Sequence, residues 1–168
     1  MSSRSVLKRG NPLLNQVCTV VSDIKSAKPI ISELCETLSF IQSLYEFKRG
    51  CGIAAPQIGH LLRINVVEYE GQRLILINPE IVKHSPNKVP IKEGCLSFFD
   101  YRGNVPRYES VVVQALDEHG KQQTIEASGN FAMVLQHEID HLNGILFVQY
   151  LENLDNDLRP VDGMPRIP

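Results

Sequence analysis

The stretch Gln136-His137-Glu138-Ile139-Asp140-His141 constrains this chain more than any other, because it specifies a local conformation and a chemistry together. It contains His-Glu-x-x-His. Residues four apart share one face of an α-helix, so His137 and His141 can point two imidazoles at one metal ion. Glu138, beside the first of them, can reach a water at that metal and act as general base. Ser128-Gly129-Asn130 introduces the motif and Asn143-Gly144 follows it, which predicts a helix over roughly 130–142. The plain alternative is a pair of histidines on a solvated helix face. A third ligand decides between the two.

A catalytic site of this kind takes three protein ligands and keeps one position open. The longer metzincin pattern would place its last histidine at position 147, which is Phe147 and cannot ligate. Glu152 is the last glutamate, too near the motif helix for a ligand on a following helix. Asp155 and Asp157 remain, in a polar tail that favours solvation. Upstream, Glu93-Gly94-Cys95-Leu96-Ser97 offers a cysteine between strands, with a glycine that permits close approach. A metal would hold that thiol as thiolate. Taken alone, Cys95 reads as a small buried residue; with the motif short of a partner, it reads as the ligand. A Cys/His/His set suits zinc or ferrous iron.

Composition excludes several other classes. The formal net charge is -2, so no broad basic surface argues for nucleic acid. No run of 18 apolar residues predicts a membrane span. The N-terminal MSSRSVLKRGNPLL lacks the apolar core of a secretory leader, while a short organellar segment stays open. Cys18, Cys35, Cys51 and Cys95 form no C-x-x-C pair, which fits a reducing compartment and leaves single thiols available as ligands. At 168 residues the chain is expected to form one domain over 1–168.

The segment 1–24 reads as irregular, with an apolar edge piece from Val17 to Ile24. A helix is expected to open near Pro29, to bury one face marked by Ile30, Ile31, Leu34, Cys35, Leu38, Ile41, Leu44 and Tyr45, and to stop at Lys48-Arg49-Gly50. Gly50 to Gly59 reads as a loop whose small residues let the backbone approach a ligand, or as a tight turn. Leu62–Tyr69 and Leu74–Ile77 form a hairpin across Glu70-Gly71. Short strands are expected at 81–83 and 89–91, and a second hairpin from Ser110–Leu116 and Gln122–Ala127. The tail 151–168 is expected to be extended. Strands with two helices at opposite ends predict an α+β fold.

Three stretches taken together resemble the peptide deformylase family. They are Gly50 to Gln57 (Gly-x-Gly-x-Ala-Ala-x-Gln), Glu93 to Ser97 (Glu-Gly-Cys-x-Ser) and Gln136 to His141 (Gln-His-Glu-x-Asp-His). Weaker similarity runs from Val6 to Leu151. The resemblance implies antiparallel β-sheets packed around a central metal-binding helix, with an N-terminal helix. It implies ligation by Cys95, His137 and His141 of one ferrous ion, for which zinc, nickel or cobalt can substitute. It implies hydrolysis of the formyl group from the formylmethionine of newly made polypeptides, with Glu138 as base and the Gln57 amide and Leu96 N–H as oxyanion donors. The backbone of Gly52 would bind the extended substrate, and Cys51, Ile91, Met133, Val134 and His137 would surround the methionine side chain. It also implies a bacterial-type cytoplasmic setting and a transient ribosome contact.

The chain departs from the family pattern at Cys51, Phe98, Phe99 and Asn130, which puts substrate preference in question. The sequence ends soon after Tyr150, so docking through the long basic C-terminal helix of some members is not expected. Two rival readings stay open: a metallopeptidase with Asp155 as acidic third ligand, and a binding module that captures N-terminal peptides without turnover.

Overall fold

The computed structural model describes residues 5–153 and 157–161. Helix α1 spans Ile24–Leu44 and helix α2 spans Gly129–Leu142. Strands β1 (Cys51–Ala54), β2 (Ile64–Tyr69), β3 (Gln72–His84), β6 (Ser110–Leu116) and β7 (Gln122–Ser128) form one antiparallel sheet in the order β1-β2-β3-β6-β7. Strands β4 (Lys88–Glu93), β5 (Tyr101–Tyr108) and β8 (Arg159–Pro160) form a smaller one. The α+β class is as expected.

The larger sheet is sandwiched between the helices, and strand periodicity explains how. Successive side chains point to opposite faces. Ile64 and Val66 of β2 join Leu34, Leu38 and Ile41 of α1 in one core. Val67 joins Leu135 and Ile139 of α2 in another. A third core under the small sheet gathers Leu14, Phe98, Val105 and Phe147. Helix α2 is enclosed on nearly every side, with ten of its residues buried, including Gln136, His137, Glu138 and His141. That is the environment of a helix whose polar residues must find partners inside the protein.

Both hairpins form where expected. Glu70 and Gly71 take φ of 51° and 76°, the left-handed pair that a two-residue turn between twisted strands requires. Other expectations need correction. Helix α1 starts at Ile24, because the Asp23 side chain caps it by accepting from the Lys25 N–H at 3.0 Å. Pro29 therefore lies inside the helix instead of opening it. The helix ends at Leu44, well before Gly50: Tyr45 turns to extended backbone and packs its ring 4.8 Å from that of Phe99. The apolar Val17–Ile24 piece makes one isolated bridge, Thr19 to Leu62, with Val17 and Val20 exposed. Its anchor is Asn78, whose amide holds both the N–H and the carbonyl of Val21 at 2.8 and 2.9 Å.

The expected loop at 50–59 is strand β1 followed by a 3-10 turn, Ala55–Ile58. Residues 81–83 continue β3 through two register shifts, and 89–91 belong to β4 in the other sheet. Strand β5 is unforeseen. Gly103 and Pro106 disguise it, yet Pro106 sits directly opposite Pro90 in the ladder, where both can turn their nitrogens outward without losing a bond. Of the expected extended tail, Arg159–Pro160 pairs with Tyr101 and Arg102. Asp155 lies outside the described residues.

Candidate metal centre

Two chain segments, the one after β4 and α2 itself, supply three side chains that meet. Cys95 follows β4 in extended conformation and leads into a 3-10 turn, Leu96–Phe98, closed by the Phe98 N–H donating to the Cys95 carbonyl at 3.0 Å. His137 and His141 stand one turn apart on α2, their ring centroids 4.9 Å apart. The ligand atoms of Cys95, His137 and His141 all lie within 4.8 Å of one another, and all three residues are buried. The Cys95 Sγ and His141 Nε2 are 3.2 Å apart. One sulfur and two imidazole nitrogens converging on one point are the donor set of a three-ligand metal site with an open position. Asp157 is exposed and accepts from the Asn153 N–H at 2.9 Å, away from this cluster.

A layer behind the ligands holds them in place, and sequence reasoning gave its members no role. His137 Nδ1–H donates to Glu93 Oε2 at 2.8 Å, which leaves Nε2 for a metal. Glu93 accepts from Arg107 Nε and Nη2 at 2.9 and 3.3 Å, and Arg107 also donates to Asp140 on α2. The Glu93 and Arg107 side chains are 1% and 3% exposed, so neither charge has water to fall back on. Burial works against the Glu93 carboxylate, yet His137 and Arg107 hold its pKa below the usual carboxylate range. Burial likewise works against the Arg107 charge, and its two carboxylates raise its pKa. Gln136 fastens α2 to β5: its amide accepts from the Tyr108 N–H and donates to the Tyr108 carbonyl, both at 2.9 Å.

The expected chemical groups surround the same point. Glu138 is buried, and its Oε2 has no partner among the described residues. Burial lifts its pKa to about 7, with the Glu93 charge adding to the rise and His137 opposing it. Gln57, in the 3-10 turn, is oriented by the end of β1: its Oε1 accepts from the Ala54 N–H at 2.9 Å, which turns Nε2 toward Ser97 Oγ (3.2 Å) and Cys95 Sγ (3.6 Å). As first residue of its 3-10 turn, Leu96 has an N–H that the turn does not use.

A cavity of about 480 Å³ opens in front of the cluster. Cys51, Gly52, Leu96, Met133, Val134 and Glu138 all line it. Ile91 is not among its lining residues and packs against the core that contains Leu135 and Ile139. Phe99 lines the cavity, whereas Phe98 packs edge-on to Phe147 at 5.6 Å. Asn130 faces a smaller neighbouring cavity with Gln42 and Glu68. Gly52 has a reason to be glycine apart from the expected substrate contact: a Cβ there would stand 2.6–2.7 Å from Cγ, Cδ and Oε1 of Glu138.

The family model described as polypeptide deformylase matches residues 3–157. The chain belongs to the peptide deformylase family. It is 42% identical over 161 residues to peptide deformylase 1 of Vibrio vulnificus, covering 94% of this chain and 92% of that one. It is 37% identical to the peptide deformylase of Rhizobium meliloti, over 94% and 90% of the two chains. Among solved structures, the Synechococcus elongatus peptide deformylase in complex with actinonin superposes with a TM-score of 0.81 at 33% identity, over 96% and 92% of the two chains. The Legionella pneumophila peptide deformylase superposes with a TM-score of 0.81 at 37% identity, over 90% and 87%. Such overlap carries the fold as well as the motifs, and the Cys-His-His cluster fits the metal ion of a deformylase.

Proposed function

We infer that this chain hydrolyses the formyl group from the N-terminal formylmethionine of newly made polypeptides, releasing formate. The observation that carries the reading is the meeting of Cys95, His137 and His141 with a buried, unpartnered Glu138 oxygen and a pre-aimed Gln57 amide.

A formamide carbon bears only hydrogen besides its oxygen and nitrogen, so water approaches it unhindered. A divalent ion held by Cys95, His137 and His141 would supply Lewis acidity to the water and to the formyl oxygen. Glu138, buried beside the cluster with Oε2 unpartnered among the described residues, takes the water's proton and holds it for the leaving group. The oxyanion that forms accepts from Gln57 Nε2 and the Leu96 N–H, and losing one such donor costs ~3 kcal/mol in the transition state. Glu138 then delivers the proton to the leaving amine. Glu93 holds the His137 ring in the orientation that keeps Nε2 free. The extended substrate lies along Gly52, with its methionine side chain against Cys51, Met133 and Val134.

The resident ion on this reading is ferrous iron, whose preferences fit one thiolate and two imidazoles; zinc, nickel or cobalt can take its place. The setting is the cytoplasm, with a transient contact at the ribosome as polypeptides emerge. No helix among the described residues is long and apolar enough to cross a membrane.

The test is formate release from a formyl-Met dipeptide by protein loaded anaerobically with ferrous iron, with its metal content counted. Release that a chelator stops supports the reading. No release from a folded, fully loaded sample refutes it. Glu138→Ala should keep its metal and lose turnover.

A further inference from the structure

The cavity in front of the metal cluster has a basic mouth. Lys48 and Arg49 line it from the β1 side and Lys92 from the β4 side, all three exposed. None of them makes an ion pair among the described residues. Arg102 adds a fourth cation, with its guanidinium donating to the Phe99 and Tyr101 carbonyls at 2.8 Å each and Asp100 nearby. Of the acidic lining residues, Glu93 is committed to Arg107 and His137, and Glu138 is the base, which leaves Glu46. The whole chain carries -2, so this positive field is local and not the overflow of a basic protein.

The mouth lies where an extended substrate leaves the site. Among the described residues, strand β1 pairs with β2 on one edge and leaves the other unpaired, and its Cys51 and Gly52 line the cavity. Toward its C-terminal end the way is closed, because Ala54 and Ala55 are fully buried. A chain with its formyl group at Glu138, which packs on Gly52, therefore runs past Cys51 and Gly50 toward the turn that carries Lys48 and Arg49. The substrate residues that follow the formylmethionine are the ones that reach this mouth.

We propose that the basic mouth selects formylated polypeptides with acidic side chains at the second to fourth positions. The proposal rests on the deformylase reading and names its preferred substrate class. The cations stand away from the reacting carbon, so they act on ground state and transition state alike and move KM, not kcat. Lys48, Arg49 and Lys92 are exposed, so salt screens them.

Three amidated peptides test this with the metal-loaded full chain: formyl-Met-Ala-Asp-Glu, formyl-Met-Ala-Ser-Ser and formyl-Met-Ala-Lys-Lys. The acidic peptide should exceed the basic one about tenfold in kcat/KM at low salt, through KM, and about twofold near 0.5 M salt. The double variant Lys48→Glu/Arg49→Glu should invert the ranking, and Lys92→Glu alone should narrow it. Equal values for acidic and basic peptides overturn the proposal, as does a ranking that neither salt nor these variants move. Equal values together with weaker binding of the double variant to a ribosomal RNA fragment overturn it in favour of RNA contact. If even the neutral peptide yields no formate, the deformylase reading itself falls, and the proposal with it.

Discussion

Gly52→Ala separates two reasons for a glycine at the edge of the cavity. If Gly52 served only the substrate backbone, an added methyl group would chiefly weaken substrate binding and raise KM. The structure places Glu138 against it instead, with a new Cβ only 2.6–2.7 Å from three atoms of that side chain. Ordinary contact needs roughly 3.5 Å between carbons, so strand or carboxylate must shift by nearly 1 Å. Gly52 does not have the left-handed φ of Gly50 or Gly59, so alanine adds no backbone strain and the contact is the whole perturbation. Displacing a catalytic group by about 1 Å costs roughly 100-fold in rate. Overpacking adds about 1–3 kcal/mol of instability, or several degrees in Tm. The three ligands are untouched, so metal content should stay at the wild-type level. Formate release, metal analysis and a thermal melt on the same sample read all three. A kcat within threefold of wild type would refute the reasoning, because β1 would then have yielded without moving the base.

Other outcomes follow from the buried groups. Glu93→Ala should lower metal affinity about 10–100-fold by releasing His137, and should cost up to about 3 kcal/mol in urea unfolding by leaving the buried Arg107 charge with Asp140 alone; unchanged affinity would remove Glu93 from the metal's support. Because Glu93 titrates lower in the folded than in the unfolded protein, its stabilisation is present above the unfolded carboxyl range, near pH ~4.3, and is lost as pH falls through the lower folded value. Urea titrations below about pH 4.5 should accordingly show a shallower pH slope in Glu93→Gln than in wild type. The Cys51 thiol, pushed up to about 12 by burial and then by Glu68, should react with iodoacetamide roughly a thousandfold more slowly at pH 8 than an exposed cysteine, and rapid labelling by mass spectrometry would contradict that environment. Cys95→Ser should weaken metal binding or change metal preference, as equilibrium dialysis with ferrous and zinc ions would show; identical content and preference would remove Cys95 from the ligand set.

The sequence by itself determined what depends on near neighbours. His137 and His141 could be placed on one helical face because their spacing is local, and Glu138 came with them. Both hairpins were legible from two-residue turns between β-rich runs. Cys95 was harder: no local rule separates a buried thiol from a ligand, and it was reached through the motif's missing partner and the family resemblance. Tertiary structure decided whatever depends on residues far apart in the chain. Glu93 and His137 are 44 positions apart, and Arg107 and Asp140 are 33 apart. No periodicity announces that four such groups will bond to one another behind the Cys-His-His cluster. Strand β5 escaped notice because Gly103 and Pro106 weaken its local preference, and its pairing with β4 supplies what propensity withholds. The same holds at the ends of α1, where the Asp23 cap and the packing of Tyr45 on Phe99 overrode the proline and glycine signals. Gly52 shows the division most clearly. Its small size was legible, but the reason for it, the Glu138 carboxylate lying against the strand, exists only once β1 and α2 have packed together.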